Sequence, residues 1–293
     1  MRGARNMRSF YLVPIAGFLA SEGVAEFTIL RYVTGETQRP AKDDLTIEEP
    51  LEISLKFRRG SNLVRKPLSI TMRTPGNDRA LAIGFLFTEG VIPELSGLLD
   101  VEQESANSVV ISLNQEVNLQ RLERHFYAAS SCGICGKTSL EALRINKEIY
   151  LNSRSPVVSP RLLIMLPEIL ARHQADFAHT GGLHAAAFFD ARGHLRGVCE
   201  DVGRHNALDK LIGTELLAGR TDFSDLLLLV SGRAGFELVQ KSVMAGIPIM
   251  AAVGAPSSLA VELAQRYGMT LIGFLREKRF NLYSGTARIA SEI

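Results

Sequence analysis

The run Leu226–Val230, four leucines and a valine with no polar residue among them, constrains the fold more than any other segment. A strand with one wet face alternates polar and apolar residues, whereas an unbroken apolar run bounded by turns reads as a strand buried on both faces. Helical periodicity follows over Gly235–Ala245, a strand over Ile247–Val253, a second helix over Ser257–Tyr267 and a strand over Met269–Leu275. This βαβαβ succession predicts a largely parallel sheet covered by helices. Upstream, Leu183–Phe189 and Leu195–Val202 flank Asp190–Gly193, a hairpin signal, and Gly203–Leu217 has a helical apolar period. A helical stretch begins at Ser159-Pro160, and Pro167 must kink or restart it.

The first half has a different texture. Leu51–Phe57 and Leu68–Met72 alternate at period two, Val109–Leu113 is a further strand, and Arg79–Glu89 reads as a helix entered through the turn and available cap of Thr74–Asp78. Strands and helices do not alternate regularly here, which predicts an α+β portion. Residues 34–44 form a polar stretch that separates this portion from an N-terminal segment. In that segment Arg2, Arg5 and Arg8 precede the apolar run Phe10–Ala20, a pattern that resembles a short signal peptide. Pro14 and Gly17 interrupt the run, and it is too short to span a bilayer, so a poorly ordered or variable tail is expected. The expected organisation is therefore a tail (1–44), an α+β portion (45–130), a cysteine loop with a helix start (131–144) and an α/β body (145–293). No internal repeat is evident.

Composition narrows the function classes. A chain of 293 residues, 46% hydrophobic, can bury a substantial core. Thirty-three basic and 31 acidic residues leave a formal charge of +2, which gives no sign of nucleic-acid binding. Three cysteines in so long a chain are not a disulfide framework and point to a reducing compartment. Two of them stand in Ser131-Cys-Gly-Ile-Cys-Gly136, and Cys199 reads as a small buried hydrophobe.

Cys132 and Cys135 are close enough in sequence to act on one another. Lys137–Arg144 reads as the first turns of a helix, whose N-terminal field and lysine favour a thiolate. Four readings are open: ordinary thiols in a Gly-rich turn, a zinc site, a dithiol oxidoreductase, and sulfur carriage through a persulfide. Zinc needs four ligands, and the remaining cysteine and six histidines stand at no recognisable ligand spacing. A thioredoxin-like motif expects a βαβ context, which His125–Ser130 does not supply. Ser131–Thr138 also falls one glycine short of a P-loop, with no clear apolar strand before it.

Two further regions carry chemistry. His184, Glu200, Asp201, Arg204 and His205 would supply titratable and anion-binding groups if brought together, although Asp201 or Gly203 could simply cap the following helix. Phe274–Arg279 places three cations beyond the carboxyl end of a buried strand, the crevice that ligands favour in open α/β sheets. There the cations suit phosphate groups and Phe274 could stack on a base. Ser231–Gly235 and Gly254–Ser258 occupy strand-to-helix turns, where helix amides can receive phosphate oxygens.

Taken in order, Glu48–Ile53, Ser131–Gly136, Thr180–Ala186, Glu200–Lys210, Ser231–Arg233 and Phe274–Arg279 make the chain resemble the FdhD family, sulfurtransferases that serve as accessory proteins for formate dehydrogenase. The resemblance covers roughly residues 45–290. It implies a cytidine deaminase-like main domain with a mixed, largely parallel sheet, and a cytoplasmic homodimer that associates with neither membrane nor nucleic acid. It further implies that a cysteine desulfurase loads sulfur onto Cys132, with Cys135 as its partner. The sulfur then passes to the molybdenum cofactor, a bis(molybdopterin guanine dinucleotide), before that cofactor enters formate dehydrogenase. Phe274, Leu275, Arg276, Glu277, Lys278 and Arg279 would form the cofactor-binding segment, with GDP as a mimic of the bound client. His184-Ala-Ala186 has alanine where a deaminase keeps its proton-shuttling glutamate, so deamination is not expected. An alternative in another class is a non-enzymatic chaperone that holds cofactor and apo-enzyme together.

Overall fold

The computed structural model describes residues 22–92, 94–114, 149, 151 and 154–291. Twelve strands in three sheets and six α-helices make up this part of the chain. The expected helix start at 137–144 lies outside it, as does the run Phe10–Ala20.

The six-stranded sheet is built around the apolar run. Its strands are β7 (His184–Phe189), β8 (Leu195–Asp201), β9 (Leu227–Val230), β10 (Ile249–Ala252), β11 (Thr270–Arg276) and β12 (Arg279–Ser284), in the order β12-β11-β10-β9-β7-β8. β9, β10 and β11 are parallel, while β7 runs antiparallel to both β8 and β9, and β12 antiparallel to β11. The sheet is thus mixed, with the parallel centre that the βαβαβ pattern predicts, in a mixed α/β fold.

Alternation along β9 explains its composition. Leu227 and Leu229 pack with Ala185, Phe189, Ile249 and Ile272 against the helix Pro160–Ala171 (α2) through Leu163, Leu166 and Leu170. Leu228 and Val230 face the other way, with Phe188 and Met250, toward helices α4 (Arg204–Leu217), α5 (Phe236–Met244) and α6 (Ser258–Arg266). Both faces are covered, so a polar residue on this strand would be buried without solvent. α2 begins where expected: Pro160 takes the first helical position, and the Ser159 side chain accepts from the Leu162 N–H at 3.1 Å. It also runs through Pro167 rather than restarting there. The buried leucines on one stripe hold the helix together across the hydrogen bond that proline cannot donate.

The first half builds a four-stranded sheet, β4-β3-β6-β5, from β3 (Glu49–Arg59), β4 (Asn62–Arg73), β5 (Leu98–Ser105) and β6 (Ser108–Leu113). In β3, Leu51, Ile53, Leu55 and Phe57 are buried, the apolar set of the alternating pattern. The helix α1 (Asp78–Thr88) lies between this sheet and α4, and one core cluster runs through all three. Its entry differs from expectation. Asn77 holds the N-cap position in a left-handed conformation and makes no side-chain cap. Asp78 is instead committed to the buried guanidinium of Arg73, through two hydrogen bonds of 2.9 and 2.8 Å.

One expectation is corrected. The polar stretch 34–44, taken as a separator after a tail, forms the turn and most of the second strand of a hairpin, β1 (Val24–Arg31) with β2 (Arg39–Thr46). Cross-strand ion pairs, Arg31 with Asp43 at 3.2 Å and Lys42 with Glu26, stand in for a buried face. A ribbon exposed on both sides has no hydrophobic alternation to read. The hairpin is anchored at its base, where Thr46 donates to Thr180 at 2.9 Å. Thr180 closes the short helix α3 (Ala175–Thr180).

Candidate functional site

The strand directions bring the predicted motifs to one edge. β8, β9, β10 and β11 all end there, and β7 begins there. His184 opens β7 opposite Asp201, and the loops Ser231–Gly235, Gly254–Ser257 and the end of β11 follow in spatial order. Backbone hydrogen bonds stitch these loops together. The Ser231 N–H donates to Ala185 O (2.9 Å), Gly254 N–H to Gly232 O (2.9 Å) and Phe274 N–H to Gly254 O (3.0 Å).

Space is tight along this line, and at Gly254 it admits only glycine. A Cβ on Gly232 would come within 3.2 Å of His184 Nδ1, and one on Gly254 would lie 2.9 Å from Gly232 O and 3.1 Å from the Arg233 backbone. The result is a shelf floored by backbone, with His184 at one end and Phe274 at the other. Phe274 has φ = 52°, rare for a residue with a side chain, at a register break between Gly273 and Arg276. The break separates the segment Phe274–Arg279 into unlike parts. Phe274 is half-buried at the shelf, Leu275 is fully buried among Ile272 and Leu229, and Arg276, Glu277, Lys278 and Arg279 are exposed on the β11–β12 turn. Leu275 can therefore offer a ligand only its backbone, whereas the three cations are free to meet anionic groups.

At the other end, the five polar residues divide by task. Glu200 accepts from the Asp176 and Phe177 N–H groups at 3.1 and 3.0 Å, capping α3, and burial raises its pKa despite those bonds. Asp201 is fully buried and accepts from Gly203 N–H (2.8 Å), Asn206 Nδ2 (3.0 Å), Thr74 N–H (3.2 Å) and Lys210 Nζ (2.8 Å). Both are structural, and of the two candidate caps of α4 it is Gly203 that holds the N-cap position, with no side-chain cap. His184, Arg204 and His205 remain at the shelf. Burial, and then the charges of Arg204 and His205, lower the pKa of His184, which holds that imidazole neutral near pH 7.

A residue that sequence reasoning missed completes the cluster. Glu237, in the first turn of α5, pairs through Oε2 with His205 Nε2 at 2.9 Å. Only an acidic residue just after the Gly235 turn marked it, and that also reads as ordinary helix-dipole chemistry.

Cys132 and Cys135 lie outside the described residues. Cys199 is buried on β8, and its thiol pKa is pushed up to about 11, chiefly by burial, so it is a packing residue. No described helix is long and apolar enough to cross a membrane.

Fold and site together define a mixed α/β protein with a glycine-floored sheet edge, polar at one end and aromatic at the other. The chain belongs to the FdhD/NarQ family, whose model matches residues 47–290. It is 50% identical over 260 residues to a protein of Streptomyces avermitilis named sulfur carrier protein FdhD, covering 85% of this chain and 89% of that one. A protein of the same name from Picrophilus torridus is 41% identical over 257 residues, covering 88% and 96%. A crystal structure from Desulfotalea psychrophila, described as a formate dehydrogenase accessory protein, shares the fold with a TM-score of 0.72 at 22% identity, covering 91% of this chain and 99% of that one.

Proposed function

We propose that this protein is a sulfur carrier that accepts sulfur on Cys132 from a cysteine desulfurase. It delivers that sulfur to a bis(molybdopterin guanine dinucleotide) molybdenum cofactor before the cofactor enters formate dehydrogenase. The observation that carries this reading is the extent of identity with named sulfur carriers, half of all aligned residues over most of both chains. The shelf supports it in chemical terms. A client with guanine nucleotide ends needs a flat floor, a ring to stack on and cations for its phosphates. Gly232, Gly254, Phe274, Arg276, Lys278 and Arg279 offer all three.

In the loading step the Cys132 thiolate attacks the outer sulfur of the donor persulfide. The donor's S–S bond breaks, its electron pair leaves with the donor cysteine thiolate, and Cys132 holds the transferred atom as a persulfide. Cys135 is the partner thiol of the delivery step. Attack by its thiolate on the inner sulfur would discharge the outer one as sulfide at the client and leave a Cys132–Cys135 disulfide, which a thiol reductant reopens. In this reading the protein is a sulfurtransferase, and the family resemblance adds a cytoplasmic homodimer as its working form.

The test is maturation of formate dehydrogenase in cells lacking the native carrier. Cys132→Ala is expected to abolish enzyme activity while leaving the variant's abundance and GDP binding unchanged. Full maturation by the variant would overturn sulfur carriage in favour of a chaperone that only holds the cofactor.

A further inference from the structure

The hairpin β1–β2 is a sheet of its own, with no third strand on either edge among the described residues. It is anchored at its base, where Thr46 meets Thr180 and a Cβ on Gly23 would come within 2.6 Å of Thr74. Beyond that anchor Phe27, Leu30, Tyr32 and Val33 stand in solvent, Tyr32 with 74% of its surface exposed. A two-stranded ribbon is marginally stable at best in water, whereas three or more strands support one another. The ribbon is thus short of a neighbour.

Its two open edges are unlike. Along β2, Pro40 has no N–H to offer and Arg39, Lys42, Asp43 and Asp44 carry charge, the devices that keep an edge from pairing. Along β1 only Glu26 and Arg31 are charged, and Phe27–Leu30 between them is not. The ribbon from Val24 to Thr46 holds four acidic and three basic residues, a balance that selects neither a polyanion nor an acidic lipid surface. A second β1 does fit. Laid antiparallel across a two-fold axis at Thr28, Phe27 faces the partner's Ile29 and the two Thr28 side chains meet, while Glu26 and Arg31 face the partner's Leu30 and the partner's Ala25. Aromatic–β-branched and Thr–Thr pairs are among those that stabilise antiparallel strands, and no like charges are opposed.

We infer that two copies of this chain pair along β1, with Thr28 on the two-fold axis, to form a four-stranded sheet in the order β2-β1-β1-β2. The inference rests on the homodimer reading above and adds the surface and the register that make it. The contact is isologous and closes on itself, and the edges it leaves open are the two guarded β2 strands.

Sedimentation equilibrium of the full chain, unmodified and as Thr28→Glu and Thr28→Lys, tests this. Thr28 is exposed, so neither substitution buries a charge within one copy. The unmodified protein is expected to sediment as a dimer. Each variant is expected to dissociate about tenfold or more readily, because like charges then meet on the axis. An equimolar mixture of the two variants is expected to recover the dimer, since opposite charges meet there instead. A misfolded variant cannot regain a partner in this way. If the unmodified protein is dimeric and each variant dimerises as well, or the mixture recovers nothing, the β1 pairing is wrong while the homodimer stands on another surface. If the unmodified protein sediments at the 32.1 kDa of one chain, the homodimer fails and this pairing with it, and the β1 edge belongs to a different occupant.

Discussion

Alanine at Asp201 is expected to destabilise the protein by about 3–5 kcal/mol, the range for breaking one side of a buried ion pair. The carboxylate is fully buried and is the meeting point of four donors, of which Lys210 Nζ, itself buried, is charged. Once it is removed, Lys210 keeps a bond to Thr74 O at 2.7 Å but no opposite charge. The same substitution removes one of the three bonds that tie Thr74, at the turn between β4 and α1, to the start of α4, leaving those from Val202 N–H and Lys210 Nζ. Urea denaturation of Asp201→Ala and of Asp201→Ala/Lys210→Met separates the terms. The double variant is expected to recover much of the loss, since the stranded charge is gone. A loss below about 1 kcal/mol in the single variant would mean that the carboxylate is not the hub the geometry makes it.

The second large effect lies where α1 crosses α4. An alanine Cβ at Gly213 would sit 1.8 Å from Ala80 O and 2.9 Å from Gly84 N, and one at Gly84 would sit 1.9 Å from Asp209 O. These are backbone atoms, which can yield only if the two helices separate. Intrinsic propensity points the other way, because alanine is favoured over glycine inside a helix by about 1 kcal/mol. The sign of the measured change therefore decides between packing and propensity. Gly213→Ala is expected to lose about 2–4 kcal/mol in thermal or urea unfolding, a little beyond the usual cost of overpacking. Gly219→Ala serves as the contrast. Its Cβ would meet nothing within 4 Å, and only its φ of 90° is unfavourable. A cost near 1 kcal/mol is expected there. Equal losses at the two glycines would show that close helix approach is not what Gly213 provides.

How far the sequence was legible follows from which residues face a core. Leu226–Val230 could be read as a doubly buried strand because nothing polar interrupts it, and the segments around it follow by period. β5 and β12 went unread because Asp100–Ser105 and Arg279–Asn281 expose most of their residues and carry polar side chains. β1 and β2 were hidden for the same reason, being held by Arg31–Asp43 and Lys42–Glu26 instead of by burial. At the site, His184, Arg204, His205 and Phe274 could be picked out because glycine-rich turns flank them. Glu237 could not, since its meaning depends on His205, a helix and a strand earlier in the chain. Asp201 could be read only as a candidate cap, a position that Gly203 fills, and not as the partner of Lys210. Ion pairing across separate elements leaves no local pattern.

The most direct measurement is the mass of the peptide that contains Cys132 and Cys135 after incubation with a cysteine desulfurase and cysteine. The account predicts the labile increment of one sulfur atom on Cys132. It also predicts that the increment disappears under thiol reductant, is missing from Cys132→Ala, and never appears on the buried Cys199, whose pKa of about 11 keeps it a thiol. An increment that persists on this peptide in Cys132→Ala, or a peptide that stays unmodified in the unmutated protein, would contradict it.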